Sequence, residues 1–207
     1  MTEFYLIRHG QTTANALGLK QGTINDERTY LSARGKQQAL ALARHFHPAN
    51  LTALYVSPLH RTRQTAEIVN AALRLPVTVD ERLLEISYGD WDGQSNAKLM
   101  QAYPDLFYPL INDVRPNYAA TAHGERFTDV EERVRDFTAA VVKRQPHDRV
   151  LVVTHGFTVR SFAANTTGAQ GLALLEPANC SVTKIVVEPQ TGAQHLIYYN
   201  RVIDSQF

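Results

Sequence analysis

Short apolar runs alternate along this chain with stretches whose apolar residues recur every three or four positions. The runs are FYLI (4–7), ALYV (53–56), VLVV (150–153), VTKIVVE (182–188) and HLIYY (195–199), with a shorter VTV at 77–79. Each is brief and rich in β-branched or aromatic residues, so each predicts a strand. The first and third are apolar throughout, as in strands buried on both faces. The last two alternate more and flank PQTGA, which predicts a hairpin with Gly192 in its turn.

Helical spacing fills the gaps. Residues 32–46 open on Ser32, a good N-cap, and carry Ala39, Leu42, Ala43 and Phe46 on one stripe. Thr62, Ala66, Val69 and Leu73 share a face of 60–73, and Val130, Val134, Phe137 and Val141 a face of 127–143. A further helix follows Gly156, over 157–165. Strands and helices in alternation predict an α/β fold: a three-layer α/β/α sandwich with a mostly parallel central sheet, closed by an antiparallel hairpin. No repeat or linker breaks the chain, so 1–207 reads as one domain. Residues 94–126 are irregular, with three prolines and four tyrosine or phenylalanine rings, and read as an insert or lid within it.

Composition narrows the picture modestly. With 44% hydrophobic residues in 207, a sizeable core is affordable by length alone. The net charge of +1 gives no electrostatic case for nucleic acid or an anionic membrane, so any anion site must come from local clustering. Cys180 is the one cysteine, which excludes an internal disulfide and suits a reducing, cytoplasmic setting. No signal peptide and no run near 20 apolar residues is seen, so no membrane association is expected. Oligomeric state is not legible.

The chemistry sits at the strand ends. FYLI runs into Arg8-His9-Gly10, and VLVV ends in the same way at Thr154-His155-Gly156. Ligands of open α/β sheets bind beyond the carboxyl ends of the strands, so parallel neighbours would bring the two imidazoles together. Glycine after each histidine permits a sharp turn and close approach of a ligand. A third strand leads through Ser57 to Arg61 and Arg63 in the first turn of the next helix, and spacing does not choose between them. Guanidinium forks and helix N-termini suit phosphate. Glu85, before YGDWDG, offers a proton donor, or else pairs with Arg82. His9, His155 and Glu85 also form a two-histidine, one-carboxylate metal set, against which the surrounding cations argue. No G-x-S-x-G supports a serine hydrolase.

RHGQTTAN (8–15) resembles the Arg-His-Gly-x-Thr-x-x-Asn signature of the histidine phosphatase, or phosphoglycerate mutase-like, superfamily. QG (21–22), LSARGKQQA (31–39), SPLHRTRQTAEI (57–68), EISYGDWDG (85–93), GERFTDVEERV (124–134) and VTHG (153–156) follow in that family's order. The resemblance implies its fold and a cofactor-free phosphoryl transfer. His9 matches the nucleophile, which becomes a phosphohistidine. Arg8, Arg61 and His155 match the phosphate clamp, the motif choosing Arg61 over Arg63. Glu85 matches the acid that protonates the leaving oxygen. Asn15, Gln21 and Gly22 match pocket residues, and Gly156 a backbone donor. YLSARG departs from the Asp-x-Pro-Leu-Thr wording of family phosphatases. Arg126 stands where a small residue is common, either on a second anionic group of the substrate or, as favoured here, exposed. The expected activity is hydrolysis of a small phosphomonoester. Phosphoglycerate mutase is the alternative, and an inactive phosphate-binding module the second.

Overall fold

The computed structural model describes residues 1–170 and 173–203. Strands β1 (Thr2–Arg8), β2 (Leu51–Val56), β3 (Val77–Val79), β6 (Arg149–Thr154), β7 (Val182–Val187) and β8 (Gln194–Arg201) form one sheet in the order β3-β2-β6-β1-β7-β8. The β3, β2, β6 and β1 neighbours run parallel; β7 is antiparallel to β1 and to β8. The expected hairpin is therefore β7–β8, and Gly192 in its turn has φ +73°.

Strand alternation sends Phe4 and Leu6 to one face of the sheet and Tyr5 and Ile7 to the other. After the single turn of α1 (Thr13–Ala16), helices α2 (Ala33–His45) and α3 (His60–Leu73) cover the Tyr5 face through Ala39, Leu42, Phe46, Ala66 and Val69. Helices α6 (Phe127–Arg144) and α7 (Gly156–Thr167) cover the Phe4 face through Val130, Val134, Phe137 and Phe162. These are the stripes that helical spacing picks out, and they close the two outer layers. Ser32 caps α2 as expected, its Oγ accepting from the Gly35 N–H at 3.1 Å.

Between β3 and α6 the chain forms α4 (Asn96–Ala102), a two-stranded ribbon of β4 (Phe107–Tyr108) and β5 (Asp113–Val114), and α5 (Tyr118–Ala122). Its rings pack inward: Trp91 stacks on Phe107 at 5.8 Å and lies 5.9 Å from Tyr118. The segment thus extends the Phe4-side core, while the ribbon turn leaves Leu110 almost fully exposed. Among the described residues, no helix is long and apolar enough to cross a membrane.

Candidate active site

β1 and β6 are parallel neighbours with Arg8 opposite Thr154, so His9 and His155 emerge side by side at the carboxyl edge. Their ring centroids lie 5.3 Å apart. The His9 N–H donates to the Thr154 carbonyl at 2.9 Å, which carries the register one residue beyond the strand. His9 Nδ1 lies 2.7 Å from the Gly10 carbonyl oxygen. A carbonyl only accepts, so Nδ1 holds the proton and Nε2 keeps a free lone pair. Burial, then Arg61 and Arg8, hold the His9 pKa well below its ordinary value. The imidazole is neutral at neutral pH.

Gly10 departs from the expected reason for its glycine. A Cβ there would lie 2.5 Å from the backbone oxygen of Gly35, so the close approach is by the start of α2. At Gly156 the neighbours do belong to the site: a Cβ would meet the Glu176 carboxylate at 2.6 Å and the Arg8 guanidinium carbon at 3.1 Å.

Packing separates the two arginines of α3. Arg63 is exposed, whereas Arg61 is fully buried. Arg61 Nη2 donates to the Gly22 carbonyl at 2.7 Å, Nη1 to that of Ile24 at 3.1 Å, and Nε to His155 Nδ1 at 3.2 Å. His155 Nδ1 is thus an acceptor, so Nε2 carries the proton and donates to Ser57 Oγ at 2.7 Å. Burial brings the Arg61 pKa down to about 10, still cationic at neutral pH. Gly22 has φ +47°, and a Cβ on it would fall 1.7 Å from Asp92 Oδ1. Only glycine leaves room for the carbonyl that holds Arg61.

Arg8 donates to the Pro177 carbonyl and pairs with Glu176 Oε2 at 3.2 Å, while its buried Nε has no partner among the described residues. Asn179 Nδ2 donates to the His9 carbonyl at 3.0 Å, so the same loop clasps the end of β1.

Glu85 does not pair with Arg82, which is taken by Asp80 at 2.6 Å. It is buried at the start of α7, accepting from the N–H groups of Phe157 and Thr158 at 3.4 and 3.3 Å and from that of Ile86 at 3.1 Å. Glu85 therefore uses two of the free donors of the α7 N-terminus, those of Phe157 and Thr158. Burial and the charge of Glu176 raise its pKa, outweighing Arg61 and Arg8. Arg133 pins the chain around it, donating to the carbonyls of Arg82, Leu84 and Glu85 at 2.8, 2.7 and 3.2 Å while pairing with Glu125.

A cavity of about 470 Å³ opens here, lined by Arg8, His9, Asn15, Gln21, Gly22, Arg61 and Glu85 from among the expected residues. His155 and Gly156 adjoin these lining residues, His155 through Arg61 and Gly156 through Arg8 and Glu176. Asn15 commits Oδ1 to the Thr12 N–H at 3.1 Å, and Gln21 commits Oε1 to the Thr12 hydroxyl at 2.8 Å. That leaves both amide NH₂ groups for a ligand. The 94–126 segment supplies Asn96, Ile111, Asn112 and Asp113 to the opposite wall. Arg126 lines no part of it; it is exposed and paired with Asp129 at 2.6 Å. Among the described residues no three His, Cys, Asp or Glu side chains are grouped to hold a metal ion.

The model of the histidine phosphatase superfamily (branch 1) matches residues 4–200. The chain belongs to that superfamily. It is 34% identical to phosphoserine phosphatase 1 of Hydrogenobacter thermophilus over 78% of this chain and 74% of that protein. It is also 34% identical to the adenosylcobalamin/alpha-ribazole phosphatase of Escherichia coli over 73% of this chain and 72% of that one. The solved structure of Bacillus stearothermophilus YhfR superposes with a TM-score of 0.85, at 32% identity and 98% coverage of both chains. The histidine phosphatase described here is thus an enzyme of the phosphoglycerate mutase-like type, with phosphatases among its relatives.

Sequence reasoning singles out neither Lys20 nor Glu176, both of which line this histidine phosphatase site. Arg133 falls inside a family motif, but only its bonds to the backbone around Glu85 give it a purpose.

Proposed function

We propose that this histidine phosphatase hydrolyses a small phosphomonoester through a phosphohistidine on His9. The observation that carries the reading is the His9 ring: Nδ1 is tied to the Gly10 carbonyl, so Nε2 faces the cavity neutral and unprotonated. In the first step Nε2 attacks phosphorus and the bond to the leaving oxygen breaks. Glu85, whose pKa burial raises, gives that oxygen its proton. In the second, water attacks phosphorus, Glu85 takes the water proton, and the P–N bond breaks to release inorganic phosphate. Arg8 and Arg61 balance the charge on the transferring group. His155 holds the Arg61 fork and serves the same clamp; Asn15, Gln21 and the Gly22 and Gly156 backbone complete the pocket.

The cavity volume is that of a small-molecule site. The 94–126 segment shapes the end that receives the leaving group. No cofactor enters this scheme. A cytoplasmic setting fits Cys180, a buried thiol pushed up to about 12 and so poorly ionised.

The test is phosphate release from a panel of phosphomonoesters, beside interconversion of 2- and 3-phosphoglycerate. Release that disappears in His9→Ala supports the proposal. Interconversion without release assigns the mutase activity instead, and release undiminished in His9→Ala overturns the mechanism.

A further inference from the structure

Lys20 is a buried lysine in the cavity wall, directly before the two residues that build the phosphate end. Gln21 is tied to Thr12, and Gly22 holds Arg61. The Lys20 backbone is itself fixed, its N–H donating to Gln94 at 2.9 Å and its carbonyl accepting from Gly93 at 2.6 Å. The ammonium therefore stands at a set displacement from the clamp.

Its carboxylate partner is shared. Asp113 accepts Lys20 Nζ on Oδ1 at 3.2 Å and meets Arg160 Nη1 on Oδ2 at 3.4 Å. One carboxylate thus serves two buried cations. Arg160 is turned to aromatic faces, 4.0 Å from the Phe157 centroid and 4.8 Å from that of Phe127, and does not line the cavity. Lys20 does, and its ammonium is the less fully engaged of the two. An ammonium has three donors. Asp113 takes one, the Tyr88 ring lies 4.4 Å away, and Asp113 is its sole hydrogen-bond partner among the described residues.

Resting on the phosphatase reading above, we infer that Lys20 determines specificity, binding a carboxylate carried by the substrate a few bonds from its phosphate. A monoanion fits better than a second phosphate, because Asp113 and Glu176 line the same cavity and repel a dianion. The preferred substrates are phosphorylated hydroxy or amino acids rather than phosphorylated alcohols. The names of the relatives do not choose: phosphoserine carries a carboxylate, and alpha-ribazole phosphate does not.

The test compares 3-phosphoglycerate with glycerol 3-phosphate, which differ by a carboxylate against a hydroxymethyl group. The wild-type enzyme should favour the first in kcat/KM by about 10- to 100-fold, the range for a hydrogen bond to a charged group. Lys20→Met should bring the ratio close to unity by acting on 3-phosphoglycerate alone, and Lys20→Arg should keep a preference. Lys20→Gln, which retains a polar head against Asp113, gives the same reading if the methionine variant fails to fold. Equal turnover by the wild type, or equal loss on both substrates in the Lys20 variants, overturns the inference. Calorimetric binding of both ligands to the full chain carrying His9→Ala separates the two proposals. A binding preference with no phosphate release in the wild type overturns the hydrolysis and leaves Lys20 standing. Release without a binding preference does the reverse.

Discussion

Glu176 sets a carboxylate oxygen 3.2 Å from the Arg8 guanidinium, inside the cavity that His9 lines and in the space a side chain at Gly156 would need. An anion of the protein itself thus shares the seat proposed for phosphate. Its charge also raises the pKa of Glu85. Glu176→Gln should therefore do two things. Inhibition by inorganic phosphate should tighten by about 2- to 5-fold, the scale of a partly exposed ion pair. The alkaline limb of kcat/KM should move to lower pH, because the proposed first step uses protonated Glu85 and the substitution removes a charge that raises its pKa. A pH profile with the limb unmoved would remove Glu176 from the acid's environment.

Glu85→Gln keeps the shape of the acid and removes its proton. kcat on an alkyl phosphate should fall by about 10²- to 10⁴-fold. Hydrolysis of p-nitrophenyl phosphate, whose leaving group needs little help, should fall much less, and phosphate inhibition should change little. Equal losses on both substrates and in binding would make Glu85 a structural carboxylate at the α7 start.

Arg133 touches the backbone around Glu85 from α6, so it is a positioning residue. Arg133→Met should lower kcat by roughly 10-fold, leave KM near its starting value, and spare p-nitrophenyl phosphate. A rise in KM for every substrate alike would argue for general loosening of the pocket instead.

Gly22→Ala places a methyl against Asp92 at a backbone angle that side chains rarely adopt. Destabilisation of about 2–4 kcal/mol is expected from the strain and overpacking together. Denaturant unfolding gives the number. Because the Gly22 carbonyl also holds Arg61, phosphate inhibition should weaken in the fraction that remains folded.

His9 and His155 are both buried and held neutral, with pKa values well below 6.5. The unfolded chain takes up these protons as pH falls through about 6.5, and the folded chain does not. The stability present above that pH should therefore drain away towards acid, and Tm should drop between pH 7 and 5. His155→Asn should flatten this slope relative to wild type; an unchanged slope would assign it to carboxylates.

The outer frame of this protein was open to inspection in its residues. Unbroken apolar strands and three-to-four spacing are consequences of local geometry, so β1, α2, α3, α6 and β6 lie where the pattern puts them. The repeated strand-His-Gly ending puts each imidazole at the carboxyl end of a strand, and the two strands, being parallel neighbours, end together. Family motifs then separated Arg61 from Arg63, a choice spacing left open; Arg61 is the buried one of the two.

Tertiary structure decided what faces what. No periodicity shows that Glu176 lies on Arg8, that Lys20 shares Asp113 with Arg160, or that Arg133 reaches the carbonyls beside Glu85, because these partners are far apart along the chain. Protonation states were equally out of reach. Burial is the larger cause of the lowered His9 pKa, ahead of Arg61 and Arg8, and burial exists only once the layers have closed. A local sequence pattern sets which residues stand at the edge of the sheet. The solvent they lose and the distant charges they meet are set only when the whole chain is packed.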